Sequence, residues 1–338
     1  MLDERKSKIL RAIVREYIET AQPVGSAHVA SDVALNVSPA TIRNEMAVLE
    51  QEGYLRQPHT SAGRIPTDKA YRVYVDQITE PGVLDEIRSQ QVREFFNTAH
   101  GALERMLQHT TGLLTRLTSY TAVVTAAPAD AAKVRSAQLV SLSEQSLMAV
   151  AVLSNGTVES VSLDRSPDIS DAAVNAATAL LSRHAVGRSL AHLDESVIGS
   201  QAGTNDDPAT SLTRRALDAL RGRARHPDEH LYVGGTASVA SAFEAVEVVR
   251  GVLATLEQEY VVVSLLRDML DRGASVAIGS EHGIEQLAAC SVVVAPYIVE
   301  GEAVGTVGLL GPTRMNYPQA LVAVDVVSQR LSERLADG

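Results

Sequence analysis

The sequence is poor in the residues that mark most specialised chemistries. One cysteine, Cys290, in 338 residues excludes an internal disulfide framework and any cysteine-rich zinc site. Tryptophan is absent and phenylalanine occurs three times, so aromatics make up only 4% and the cores must rest on Ala, Val and Leu. No run approaches the roughly 18 apolar residues that a membrane-crossing helix needs. The charged opening Met1-Leu2-Asp3-Glu4-Arg5-Lys6 lacks the apolar stretch of a signal peptide, so a cytoplasmic protein is expected. None of the nine histidines pairs with the cysteine at a two-residue spacing, and neither a metal nor a cofactor is expected. Cys290 itself reads as a small buried hydrophobe in a strand from Ala288 to Pro296. Basic side chains are also in deficit: 30 Lys plus Arg face 41 Asp plus Glu, a net charge of −11. That balance argues against a nucleic-acid partner until its distribution is considered. Residues 1–78 hold ten charges of each sign, so the whole excess of acid lies in the remainder. A neutral head on an acidic body can bind DNA through one locally basic face, with affinity that depends on readout and dimerisation.

The head is organised around Ser38-Pro39-Ala40-Thr41-Ile42-Arg43-Asn44-Glu45-Met46-Ala47-Val48-Leu49-Glu50-Gln51-Glu52, followed by Gly53-Tyr54-Leu55. Ser38 is a good N-cap, and Pro39 stands at the first helical position, where its missing donor costs nothing. Gly53 follows the last periodic residue, where a left-handed stop is expected. Ile42, Met46 and Leu49 recur at helical spacing and define a buried face. Ala40, Thr41, Arg43, Asn44 and Ala47 are left on the outer side, which is small and polar near its start. Asn and Arg suit bidentate contacts to adenine and guanine edges. For this helix alone, decoration of a solvated face is the better reading.

The flanks change that reading. Ile9, Leu10, Ile13, Val14 and Tyr17 mark a first helix. Val29 and Val33 mark a second, over about 26–34, with Ser26 as its N-cap. Leu35-Asn36-Val37 is then a tight turn into the third helix, completing a helix-turn-helix. Residues 55–67 read as two strand-like pieces around a Gly-containing loop, a wing with Arg64 close to its tip. Ser38, His59, Ser61, Arg64 and Lys69 are expected to approach phosphates or the minor groove. Thr67 would cap a short helix, Asp68 to Val75, that closes the head.

Three blocks resemble the HrcA family of bacterial heat-inducible transcription repressors: Pro23-Val24-Gly25-Ser26, Ser38 to Met46, and His59 to Asp68. The likeness continues through Tyr71-Arg72-Val73-Tyr74-Val75-Asp76 and returns at Gly311-Pro312-Thr313-Arg314-Met315-Asn316-Tyr317. Ala27-His28, Ala70, Glu281-His282 and the stretch after Gly234-Gly235 depart from the family's pattern. The resemblance implies an α+β multidomain chain: an N-terminal winged helix-turn-helix, then a GAF-like α+β domain interrupted by an inserted dimerisation domain. It also implies a homodimer on an inverted-repeat operator of heat-shock chaperone genes, released on heat stress, with the chaperonin as a modulator of activity.

Past the head, Glu80-Pro81-Gly82 breaks the chain. Val92, Phe96, Leu103, Leu107, Leu114 and Leu117 lie on a helical stripe from about 84 to 117; a dimer contact is open, but intrachain packing with some interface is the preferred reading. Strands are expected at Ala122 to Thr125, Ser136 to Leu142 and Leu147 to Ser154. Asn155-Gly156 signals a hairpin into Val158 to Leu163. Helices follow at Ser170 to Ser182 and Ala209 to Leu220, then at Val246 to Glu259 and Val261 to Leu270. Strands resume at Ala274 to Gly279, Ser291 to Tyr297 and Ala303 to Leu310, and a helix from Gln319 to Leu335 closes the chain. This order suggests a sensor-like α+β domain with an insertion. With what the resemblance implies, it divides into a head at 1–78, a GAF-like domain at 79–165 and 245–338, and an inserted dimerisation domain at 166–244.

No catalytic constellation accompanies these elements. The glycines of Gly305-Thr306-Val307-Gly308-Leu309-Leu310-Gly311 lie in an alternating strand with no helix directly after them, so they permit close packing rather than cradle a phosphate. Glu281 and His282 could exchange protons, but no nucleophile or oxyanion-forming motif accompanies them. An enzyme is not expected. The alternative to the repressor is a metabolite-sensing regulator with the same head and a liganded GAF-like pocket.

Overall fold

The computed structural model describes residues 2–31, 37–59, 62–78, 82–98, 103–126, 133–154, 158–167, 169–190, 207–225, 231–243, 245–299 and 301–336. The head begins with α1 (Glu4–Thr20), whose N-cap Asp3 accepts from the Lys6 amide at 2.8 Å and whose chain stops at Ala21 in the left-handed region. Ile9, Leu10, Ile13 and Val14 form its buried face. The second helix, α2 (Ser26–Ala30), is shorter than its periodicity predicts. Its cap position belongs to Gly25 rather than Ser26, which is already inside the helix. The turn read at Leu35-Asn36 lies outside the described residues. α3 (Pro39–Gln51) buries Ile42, Met46 and Leu49 as its spacing requires.

The wing strands β1 (Leu55–Arg56) and β2 (Ile65–Pro66) pair antiparallel. A third segment joins them: Val24, between α1 and α2, exchanges two 2.9 Å main-chain bonds with Arg64. That approach is close enough to need glycine, since a Cβ on Gly63 would lie 2.5 Å from the Val24 carbonyl oxygen. α4 (Asp68–Asp76) closes the head on Ala70, Tyr71 and Val75.

The expected stripe past the head resolves into α5 (Glu86–Thr98) and α6 (Leu103–Thr118). Next come β3 (Thr121–Ala126), β4 (Val134–Ser143), β5 (Ser146–Leu153), β6 (Val158–Asp164), α7 (Asp171–Ala185) and α8 (Pro208–Arg225). The chain continues through β7 (Leu231–Gly234), α9 (Thr236–Ala242), α10 (Val246–Leu256), α11 (Glu259–Asp271) and β8 (Val276–Ile278). It ends with β9 (Cys290–Val299), β10 (Glu302–Pro312) and α12 (Tyr317–Ala336).

Two sheets follow the head. One is antiparallel in the order β7-β3-β10-β9-β8. Both of its faces are covered, so alternate residues enter different cores. Val124, Val293, Val307 and Leu309 pack with α6 and α12, whereas Val123, Val292, Val294 and Leu310 pack with α10 and α11. Burial on both sides explains why Cys290 to Val294 is continuously buried instead of alternating. Two buried tyrosines sit here with their hydroxyls satisfied. Tyr297 donates to the Thr125 carbonyl at 2.9 Å, and Tyr317 to that of Thr313 at 2.6 Å.

The other sheet is the meander β4-β5-β6. It packs one face on α7 and α8 through Leu147, Ala149, Ala151 and Leu153 against Ala177, Leu181, Leu212 and Leu220. The strands at 134–164 therefore share a core with the helices that follow them. This differs from the grouping read from the sequence, which placed them with the larger sheet. Alternation reports which face of a strand is buried, not which sheet it joins.

Candidate nucleic-acid interface

The start of α3 is built from its own side chains. Ser38 Oγ accepts the Thr41 amide at 3.2 Å and lies 3.0 Å from the Thr41 hydroxyl, so both residues are engaged in starting the helix. Ala40, Arg43, Asn44 and Ala47 are exposed. Arg43 and Asn44 make no hydrogen bond or ion pair among the described residues. They extend from a helix whose opposite face is fully buried, an arrangement that offers free donors to a groove without loosening the core.

The far end of α3 is clamped. Gly53 takes φ +78°, the left-handed stop that its position predicts. Thr67 occupies the N-cap position of α4, but its hydroxyl makes no cap bond. It donates instead to the Gly53 and Tyr54 carbonyls at 2.8 and 3.0 Å. Lys69 Nζ donates to the Glu52 carbonyl at 2.8 Å and lies 4.1 Å above the Tyr54 ring. Lys69 thus spends its charge on the C-terminal end of the helix, where a cation is favoured.

Arg64 stands at the base of the wing, directly before β2, rather than near its tip. Its guanidinium turns inward to Glu50 at 2.9 Å, leaving the side chain 20% exposed and Nε buried without a partner among the described residues. It braces the wing against α3. His59 is exposed on the wing, whereas Ser61 lies outside the described residues. Arg56, which sequence reasoning passed over, is exposed on β1 and unpartnered among the described residues. Its alternation with buried Leu55 was the available signal.

These pairings resolve the objection from charge. The three acidic residues of α3 and its end are each matched: Glu45 by Arg5 at 3.7 Å, Glu50 by Arg64 at 2.9 Å and Glu52 by Lys6 at 3.0 Å. Arg43 is left as an exposed cation on the outer face of the helix with no partner among the described residues.

α4 also faces the body. Arg72 Nε donates to Glu281 Oε1 at 2.9 Å, and one Nη reaches the other Glu281 oxygen and the Val276 carbonyl. Asp68 accepts from the amide and hydroxyl of Ser280 at 3.3 and 3.4 Å. Gly279, at φ +54°, leaves space for the Asp68 carboxylate that a Cβ would fill. Burial works against ionisation of Glu281, but the Arg72 guanidinium and the Ile278 amide outweigh it and hold its carboxyl below the usual range.

With this geometry in place, comparison with known proteins decides the family. Residues 1–80 match the family described as "Winged helix-turn-helix transcription repressor, HrcA DNA-binding", and residues 104–321 match "HrcA protein C terminal domain". The chain belongs to the HrcA family. A heat-inducible transcription repressor HrcA from Symbiobacterium thermophilum is 36% identical over 98% of both chains. Its counterpart from Nocardia farcinica is 36% identical over 99% of this chain and 97% of its own. A crystal structure described only as a hypothetical protein at 2.2 Å resolution superposes with a TM-score of 0.66 at 26% identity, covering 100% of this chain and 99% of that one. HrcA proteins are transcription repressors with a DNA-binding winged helix, not enzymes.

The groups that had suggested proton transfer are committed to structure. Glu281 is held by Arg72. His282 donates from Nε2 to the Leu287 carbonyl at 3.0 Å and accepts the Ile284 amide at Nδ1, 3.3 Å away. Cys290 is fully buried, and burial pushes its thiol up to about 12. No described helix is long and apolar enough to cross a membrane.

His282 also makes a pH prediction. Burial holds its imidazole below the usual range, with backbone bonds and nearby carboxylates only partly opposing it. The unfolded chain then takes up a proton near about pH 6.5 that the folded chain still refuses. Stability contributed by this site is present above that pH and lost as pH falls below it. Thermal melts of the parent and of His282→Gln between pH 7.5 and 5.5 should show a shallower pH slope in the variant; equal slopes would assign the dependence to other groups.

Proposed function

We propose that this protein is a homodimeric repressor of heat-shock chaperone genes that binds an inverted-repeat operator and is released on heat stress. The observation that carries this reading is the exposed Arg43–Asn44 edge, unpaired among the described residues, on a helix pinned at both ends. In this account α3 enters the major groove with Ala40, Thr41, Arg43, Asn44 and Ala47 toward bases. His59, Ser61 and the wing lie on the backbone or minor groove, Ser38 stands beside a phosphate, and Lys69 and Arg64 hold the end of α3 and the wing in position. The larger sheet with its helices is the GAF-like domain, and the unit from about 133 to 225 is the inserted dimerisation domain. The repressor works in the cytoplasm, and the chaperonin modulates its activity, as the family resemblance implies.

The meander sheet supports a dimer. Its face away from α7 and α8 carries Val140, Met148, Val150, Val152 and Val158, interspersed with Gln138, Ser160 and Ser162. These eight positions include no charge, and Val140 and Val158 are 39% and 56% exposed. A largely apolar face, whose carboxylate Asp164 stands at the end of β6 beside Ser146, is the kind that a second copy covers. Sedimentation should give a dimer for the parent and a monomer for Val150→Asp, with operator affinity falling together with the dimer. Inserting about half a helical turn between the half-sites should weaken binding of the parent as strongly, since a two-fold dimer fixes their spacing. Undiminished binding to the respaced operator would overturn the dimeric reading.

A further inference from the structure

The junction between head and body forms a cavity of about 400 Å³ that is open on one side to solvent. One wall is Arg72 of the head helix α4; the others come from α11, β8 and the turn carrying Glu281 and His282. Its floor is apolar, with Leu265 and Met269 almost fully buried and Ile284 half-buried. Its charges cancel in place. Arg72 is bound to Glu281, and Arg272 at the mouth lies 3.6 Å from Asp268. Both nitrogens of His282 are used by the main chain, and burial favours the neutral ring. The Ser264 hydroxyl and the exposed Tyr260 ring complete the lining. A space of this size, apolar with a few polar groups and no unbalanced charge, suits an uncharged amphipathic molecule. A charged ligand would have to displace an existing ion pair.

The position of the cavity gives occupancy a consequence. Because Arg72 closes one side, the complete cavity exists only while the head is docked on the body, and a ligand that fills it favours that arrangement. The same short helix holds the end of α3, through Thr67 and Lys69 to the carbonyls of residues 52–54. α4 therefore contacts the cavity on one side and the DNA-reading helix on the other, within a span of six residues.

We propose that this cavity is an effector site for a small uncharged molecule with an apolar body and a single hydroxyl-type polar group, and that its occupancy secures the head against the body. This proposal concerns how the repressor described above is regulated, but binding to the cavity is measured without DNA and stands or falls separately. The probe is p-cresol, with benzoate as the charged control, in saturation-transfer NMR on the full chain.

The expected result is saturable transfer to p-cresol and much weaker transfer to benzoate. Ser264→Trp, which fills the cavity from half-buried α11, should abolish the signal. Tyr260→Ala, at a side chain 79% exposed and so safe for folding, should weaken it severalfold. Absence of saturable transfer, or transfer undiminished in both variants, would overturn the site. If p-cresol binds but the parent's operator affinity does not change with occupancy, the coupling through α4 is refuted while the site remains.

Discussion

Asn44→Ala is expected to lower operator affinity by about 1–3 kcal/mol, roughly 5- to 150-fold, while leaving affinity for random DNA almost unchanged. This side chain is exposed and has no hydrogen-bond partner among the described residues. Removing it breaks no bond in the free protein, so the head should fold as before and any loss must arise in the complex. A contact to a base edge is lost only on the sequence that presents it, whereas a contact to phosphate is lost on every duplex. Parallel titrations against operator and scrambled DNA separate the two, and equal losses on both would move Asn44 to the backbone. Arg43→Ala differs: it also removes the exposed cation of the face, so some loss on random DNA and a shallower salt dependence are expected.

The second large effect is predicted at a residue that touches no DNA in this account. Gly63→Ala should destabilise the head by about 1–3 kcal/mol, the usual range for overpacking a site that cannot yield. The new methyl group would meet only main chain: the Val24 oxygen at 2.5 Å, the Val24 carbonyl carbon at 2.6 Å and the Pro23 carbonyl carbon at 2.7 Å. Relief requires Val24 to move away from Arg64, which opens the third strand of the wing. Arg64 would then lose its alignment with Glu50, and operator affinity should fall with it. Gly25→Ala is the control, since nothing lies within 4 Å of a Cβ there, and its cost should stay below about 1 kcal/mol. Urea denaturation together with proteolysis of the wing measures both variants; equal behaviour would show that the close approach of Val24 is not needed.

What the sequence made legible was local. Ser38-Pro39 and Gly53 mark helix ends by their own chemistry, and the structure places a capped start and a left-handed stop there. Ile42, Met46 and Leu49 declare the buried face by spacing alone. The same logic failed where a side chain had a distant alternative. Thr67 has the right identity and position for a cap, but the Gly53 and Tyr54 carbonyls compete for its hydroxyl and win. Lys69 and Arg64 looked like free cations because their partners, Glu52 and Glu50, belong to a helix that folds back beside them.

The junction was invisible for a stronger version of that reason. Arg72 and Glu281 are 209 residues apart, and no periodicity connects them. A hint existed in α4, where Ala70, Tyr71 and Val75 take the buried face and leave Asp68 and Arg72 one turn apart on another side. Such a pair on a short amphipathic helix is more often solvated, and only the tertiary fold shows what it binds.

The most direct test of the account is fluorescence anisotropy of the full chain with two labelled duplexes, an inverted repeat from a chaperone promoter and its scrambled control, across a salt series. The account predicts that the repeat binds about a thousandfold or more tighter than the control at moderate salt, with the difference persisting as both weaken. Weak and equal binding of the two duplexes, with one common salt slope, both alone and with chaperonin added, would contradict it.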